Sequence, residues 1–390
     1  MELCEIARAL GIGAYPPVLD QIYANLSQEN ADICNIQRIA ALQQELNLLG
    51  EHYDAVLDGI RALQQDPARL CWGQVVSTYL TNATLEEAQS VPLPVAKGDG
   101  DVLPLLVLLT QVPSAVEGYR SRGFSMDAIQ EILSSFQDCV GRVRICTGVT
   151  GLDLRFYHWL CLYIKCRIFL FGGFMFEIAS FSDNGCVVLK NRETGALVPL
   201  MHQVTLHKSG MILGSAGCED PEGSRTVVFE ETDDGFRGCP AIRGKASGPV
   251  TFYPKAQWSI ALRPEDTVLS IHLPKGVDMT PQRLDSVFGD VPELVHRYYP
   301  EANIRAFHCG SWLLDPTLEE ILGKDSKIAQ YGARFARIPT KSDGREVYHF
   351  VFPPNTTDLN ALPENTRLER SLKKLYLSGG YIHGFLGVFL

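Results

Sequence analysis

The stretch TVLSIHLPKGVDMTPQRLDSVFGDVPELVHRYYPEANIRAFHCGSWLLDP, residues 267–316, decides how the second half of this chain folds. Its opening residues are β-branched and apolar with polar residues interleaved, which reads as a strand. Thr280 then stands where a helix N-cap belongs, and Pro281 takes the first helical position. Leu284, Val287, Phe288, Val291 and Val295 follow at helical spacing as an apolar stripe. Pro292 inside that stripe predicts a kink or a break. Residues 303–314 read as a second strand. Two strands joined through a helix predict a parallel pair with a right-handed crossover.

The surroundings differ on the two sides of residue 167. Before it the chain reads as helical. Ile36, Ile39, Leu42, Leu46 and Leu49 share one face, and residues 54–63, 125–143 and 154–166 repeat the pattern. Residues 91–101 read as a loop. After it come short β-branched and aromatic runs at 167–180, 186–190, 198–206, 226–230 and 250–253. Turn signals such as Asp183-Asn184-Gly185 separate them. Residues 315–322 open a short helix after the crossover, with Pro316 in its first turn. Residues 327–338 and 346–352 read as a hairpin around Ser342-Asp343-Gly344, and 364–377 as a helix before a last strand at 381–390. The fold class is α+β: a helical domain over 1–150, then a sheet domain over 151–390 with a β-rich insertion around 181–255.

With 46% hydrophobic and 21% charged residues over 390 positions, the composition excludes a disordered chain. The net charge of −10 argues against nucleic acid and against anionic membranes as general partners. Most of that charge lies in residues 1–100, which hold 13 acidic and 5 basic side chains. Residues 324–345 are instead basic, offering charge to an anionic ligand or forming a solvated hairpin face. No signal peptide opens the sequence, no apolar run is long enough to span a bilayer, and the 11 cysteines contain no Cys-x-x-Cys. These features predict a cytoplasmic protein with reduced thiols.

Three motifs together carry a resemblance. They are His272-Leu-Pro-Lys-Gly276 ahead of the helix, Ala306-Phe-His-Cys-Gly-Ser-Trp-Leu-Leu-Asp-Pro-Thr-Leu318, and Pro363-x-x-Thr-x-Leu-x-Arg-x-Leu372. The chain resembles, over nearly its whole length, the bacterial acyltransferases that join a helical N-acyltransferase N-terminal domain to a GNAT-like C-terminal domain. The resemblance implies a GNAT-like mixed β-sheet with flanking helices, in which two parallel neighbouring strands splay and admit the pantetheine of acyl-CoA. It implies a CoA-dependent N-acyltransferase with acyl-CoA or acetyl-CoA as co-substrate, no metal, and an amine of a small molecule or peptide as acceptor.

The pyrophosphate would sit at the N-terminus of the helix at 280, where free amides and the dipole favour anions. Leu273, Lys275, Gly276 and Thr280 are the candidate contacts. The family's Gln/Arg-x-x-Gly-x-Gly/Ala signature is absent there; Pro274 lacks an amide hydrogen and Asp278 brings a negative charge. That absence supports an alternative, a non-catalytic GNAT-like binding or scaffolding protein that has lost its phosphate loop.

Acyl transfer to an amine needs a base, donors for the oxyanion, and a proton for the leaving thiolate. His272 on the first strand is the first choice of base and His308 on the second strand the next. Cys309 is a candidate nucleophile, but alternation puts His308 and Gly310 on one face and Cys309 and Ser311 on the other. A small buried thiol is the plainer reading of Cys309. Glu177, an acid inside the apolar run 174–178, is a further candidate base or the ion-pair partner of Arg167 or another strand base.

Overall fold

The computed structural model describes residues 2–26, 32–95, 98–181, 185–353, 356 and 358–390, without the side chain of His349. The expected turn at 183–185 lies mostly outside these residues, as does part of the loop at 91–101. The chain divides into two units, Met1–Leu170 and Phe171–Leu390. The strand Ile168–Phe171 carries the boundary.

Side-chain caps set the helices of the first unit. Asn35, Asp66, Thr84, Asp101, Ser125 and Asp153 each accept an amide hydrogen from the first turn that follows. Helix Val102–Leu109 is buried on every side and forms the centre of this unit. Among the described residues no single helix is long and apolar enough to cross a membrane. The boundary falls later than the expected 150. Helix Leu154–Ile164 buries Tyr157, Leu160, Cys161 and Tyr163 in this first unit. The Tyr157 hydroxyl donates to the Ala88 carbonyl at 3.0 Å, and Lys165 donates to the Leu80 carbonyl at 2.7 Å.

The second unit is built on a mixed sheet. Its strands are β1 (Phe174–Ser180), β2 (Thr267–His272), β3 (Ala306–Ser311), β4 (Ala336–Pro339) and β5 (Phe385–Phe389). They lie side by side in the order β1–β2–β3–β5–β4. Only β2 and β3 run parallel, joined through helix α1 (Pro281–Tyr298) as the sequence predicts. Pro292 does not break α1. It sits on the exposed side, where water can serve the carbonyl it leaves unpaired, while Leu284, Val287, Phe288, Val291 and Val295 stay buried. Phe288 meets Phe174, Phe307 and Phe389 with ring centroids 5.2–6.0 Å apart, which seats α1 on one face of the sheet.

The opposite face meets the insertion. Cys186–Asn191, Leu197–Met201, Gly235–Pro240 and Trp258–Leu262 form the body of a second sheet that reaches past the expected limit of 255. Cys186, Val188, Met201 and Leu262 share a core with Val268, Ala306, Ile338 and Val388. Both faces of the sheet are thus covered, one by α1 and one by the insertion, so β2 buries Val268, Leu269, Ser270 and Ile271 in a continuous run.

The hairpin expected around 342–344 is not formed. Lys327–Gly332 and Glu346–Val351 are short helices on either side of β4. Ser326 caps the first. The second buries Val347 with Phe352, Leu372 and Ile382, so packing on neighbouring helices overrides the β propensity of Val-Tyr-x-Phe-Val. Among the described residues, three of the six cations of the basic stretch are paired inside the unit. Arg337 pairs with Glu319 at 2.6 Å, Arg334 with Asp285 at 2.7 Å and Lys327 with Asp278 at 3.5 Å.

Candidate active site

Register fixes which side chains meet. Glu177 is opposite Ser270, and Ser270 is opposite His308. Paired residues share a face, so these three form one polar row across β1, β2 and β3 on the face toward the insertion. His272 is two residues beyond Ser270, on the same face. Its Nε2 and the Glu177 Oε2 are 2.8 Å apart. A carboxylate can only accept, so Nε2 carries the hydrogen and Nδ1 is the basic nitrogen of the neutral ring. Both side chains are partly buried, His272 at 31% exposure and Glu177 at 16%.

His308 is deeper, 8% exposed. Its Nδ1 is 3.1 Å from the Ser270 hydroxyl, and its Nε2 is buried with no hydrogen-bond partner among the described residues. Burial first, and then the nearby His272, pull its pKa down to about 4, with Glu177 opposing. His308 is therefore neutral near pH 7.

The pairing of the parallel strands ends at this row. The last paired residues of β2 and β3 are Ser270 and His308. Both strands continue, β2 against β1 as far as His272–Met175 and β3 against β5 as far as Ser311–Phe385. Ile271 and His272 are thus no longer paired with Cys309, Gly310 and Ser311. Gly310 is exposed there, and a Cβ on it would meet only Leu386, at 3.2 Å. A glycine at such a point lets another chain or a ligand approach the backbone closely.

The loop after β2 faces the N-terminus of α1. Gly276 has φ +83°, the left-handed region, and is exposed with Lys275. Among the described residues, the amides of Gly276, Met279, Gln282 and Arg283 donate to no protein group. Asp278 does not point its charge at them unopposed. Its carboxylate accepts the Thr280 amide at 3.0 Å and the Thr280 hydroxyl at 3.1 Å, and it lies 3.5 Å from Lys327. Leu273 is partly buried at the start of the same loop.

The structure brings His272, Glu177 and His308 together and sets Cys309 and Ser311 apart. Cys309 lies on the α1 side of the sheet, fully buried, and burial pushes its thiol up to about 12. The Ser311 hydroxyl accepts the Leu313 amide at 3.1 Å, which caps the turn Trp312–Leu314. Trp312 packs with Leu318, Val347 and Leu372. Ser270 is the residue that sequence reasoning missed. Its signal was the period of two in β2, where Val268, Ser270 and His272 share a face and Ser270 is polar at a buried position.

Residues 168–389 match the model of the GNAT-like C-terminal domain family, and the chain belongs to that family. Solved structures agree in fold over the entire length. An acyltransferase mutant in complex with octanoyl-CoA aligns over 100% of this chain and 99% of its own, at TM-score 0.64 and 16% identity. An acyltransferase in complex with decanoyl-CoA and teicoplanin aligns over the same shares, at TM-score 0.62 and 17% identity. No curated protein matches the chain.

Proposed function

We propose that this protein is an acyl-CoA-dependent acyltransferase acting on an amine of a small molecule or peptide. The observation that carries the reading is the end of the parallel pairing at Ser270–His308, with the His272–Glu177 pair at its edge. The donor thioester enters between β2 and β3, and its phosphates lie against the free amides around Gly276 and the start of α1. His272 Nδ1 takes the proton of the attacking amine while Glu177 orients the ring and stabilises the imidazolium. The C–N bond forms, the C–S bond breaks, and the imidazolium returns the proton to the CoA thiolate. Transfer is direct, since the Cys309 thiol is buried on the other face and held neutral.

Complexes of the similar acyltransferases with octanoyl-CoA and decanoyl-CoA support the donor class. The complex with teicoplanin supports a small-molecule acceptor. The scaffolding alternative rests on Pro274 and Asp278. It is weakened by the free amides and by the Lys327 partner of Asp278. The test is thiol release from a series of acyl-CoAs in the presence of amine acceptors. Turnover lost by roughly a hundredfold or more in a folded His272→Ala variant is expected. Undiminished turnover in that variant overturns His272 as the base.

A further inference from the structure

His308 and its partner Ser270 have no task in the mechanism above. Among the described residues the buried Nε2 of His308 has no partner, although such a group costs stability when left unsatisfied. Hydrogen-bond counting fixes which kind of partner is missing. In one tautomer the Ser270 hydroxyl donates to Nδ1, and the single unmet group is the Nε2–H donor. In the other, Nδ1–H donates to Ser270, and both the Ser270 hydroxyl hydrogen and the Nε2 lone pair are unmet. Ser270 is itself buried and makes no further side-chain bond among the described residues, so the first tautomer leaves fewer orphans. The missing partner is then an acceptor.

We propose that His308 is a catalytic residue that donates its Nε2–H to the carbonyl oxygen of the donor thioester and to the oxyanion that forms from it. The proposal rests on the acyl-CoA reading given above. Three placements converge on it. His308 stands in the last paired row of the two strands, so it borders the point where a thioester would lie. It shares its face with His272 and Glu177, and both influence its charge. It is held neutral by burial, so it does not compete with His272 for the amine proton. When the amine attacks, the C–N bond forms and the carbonyl π pair moves to oxygen. The His308 N–H bond to that oxygen shortens as charge develops, and it relaxes when the C–S bond breaks. His308 transfers no proton. The two histidines thus divide the work, one as base and one as neutral donor.

The experiment needs no acceptor. Decanoyl-CoA is bound to the full chain and its carbonyl stretch is read by isotope-edited infrared difference spectroscopy. The thioether S-decyl-CoA, which lacks the carbonyl, reports on site integrity by calorimetry. The expected result is a carbonyl stretch lowered on binding to the unaltered protein and unshifted in His308→Leu. S-decyl-CoA should bind both proteins equally, while decanoyl-CoA loses roughly tenfold in affinity in the variant. His308→Gln keeps a donor and should retain part of the shift, which also serves if the leucine variant does not fold. An unshifted carbonyl in the unaltered protein, or an equal shift in His308→Leu, overturns the role of His308 while S-decyl-CoA still binds. Absence of binding by both ligands overturns the acyl-CoA reading and this proposal with it.

Discussion

Lowering the pH should destabilise the protein through His308 by an amount the structure sets. The folded protein holds this ring neutral, with its pKa pulled from 6.5 to about 4, chiefly by burial. In the unfolded chain the ring protonates at its ordinary value. Between these two values the unfolded state binds the extra proton, so stability falls as pH falls. The contribution is fully present above 6.5 and is lost by the time pH reaches about 4. At about 1.4 kcal/mol per pH unit, the window is worth about 3 kcal/mol. The assay is urea unfolding of the unaltered protein and of His308→Gln at matched pH values across this window. The difference between the two curves cancels the carboxylates and other histidines they share. The unaltered protein should lose about 3 kcal/mol more than the variant on going from near pH 7 to near pH 4. Parallel curves would refute the claim that His308 is buried and neutral.

Glu177→Gln keeps the shape of the hydrogen bond to His272 but removes the charge that stabilises the imidazolium. It should lower kcat by roughly ten- to a hundredfold with little change in donor affinity, checked by steady-state kinetics. Gly310→Leu should fold, because its Cβ meets only Leu386, but should weaken S-decyl-CoA binding by more than about tenfold by calorimetry; unchanged affinity would place the ligand elsewhere. Cys309 should resist iodoacetamide at neutral pH, and Cys309→Ala should keep its turnover; rapid labelling with loss of activity would restore it as a nucleophile. Glu319→Gln should cost about 3 kcal/mol or more in unfolding experiments, since it strands the buried Arg337 guanidinium.

The core of the second unit was legible because its signals are local. A capping position, a proline at the first helical residue and a regular stripe gave α1, and flanking β-branched runs gave β2 and β3. Alternation along the strand also separates His308 from Cys309 in the sequence alone. The helices at Lys327–Gly332 and Glu346–Val351 were not legible, because Val347 and Phe352 take their conformation from contacts with Leu372 and Ile382. The pairing of Glu177 with His272 was hidden for a similar reason. It depends on the register of β1 against β2, two strands separated by the whole insertion. Ser270 was overlooked because a serine in a strand has no chemistry until its neighbour across the sheet is known. The ion pairs within the basic stretch were hidden because their acidic partners, Glu319, Asp285 and Asp278, lie on other elements.

The central claim is that the donor thioester lies between β2 and β3 beyond Ser270 and His308. A crystal structure with decanoyl-CoA tests it most directly. The account predicts the thioester carbonyl beside His308, the pantetheine between Ile271–His272 and Cys309–Ser311, and the phosphates against the amides around Gly276. Decanoyl-CoA bound elsewhere on the chain, with the two strands closed on each other, would contradict it.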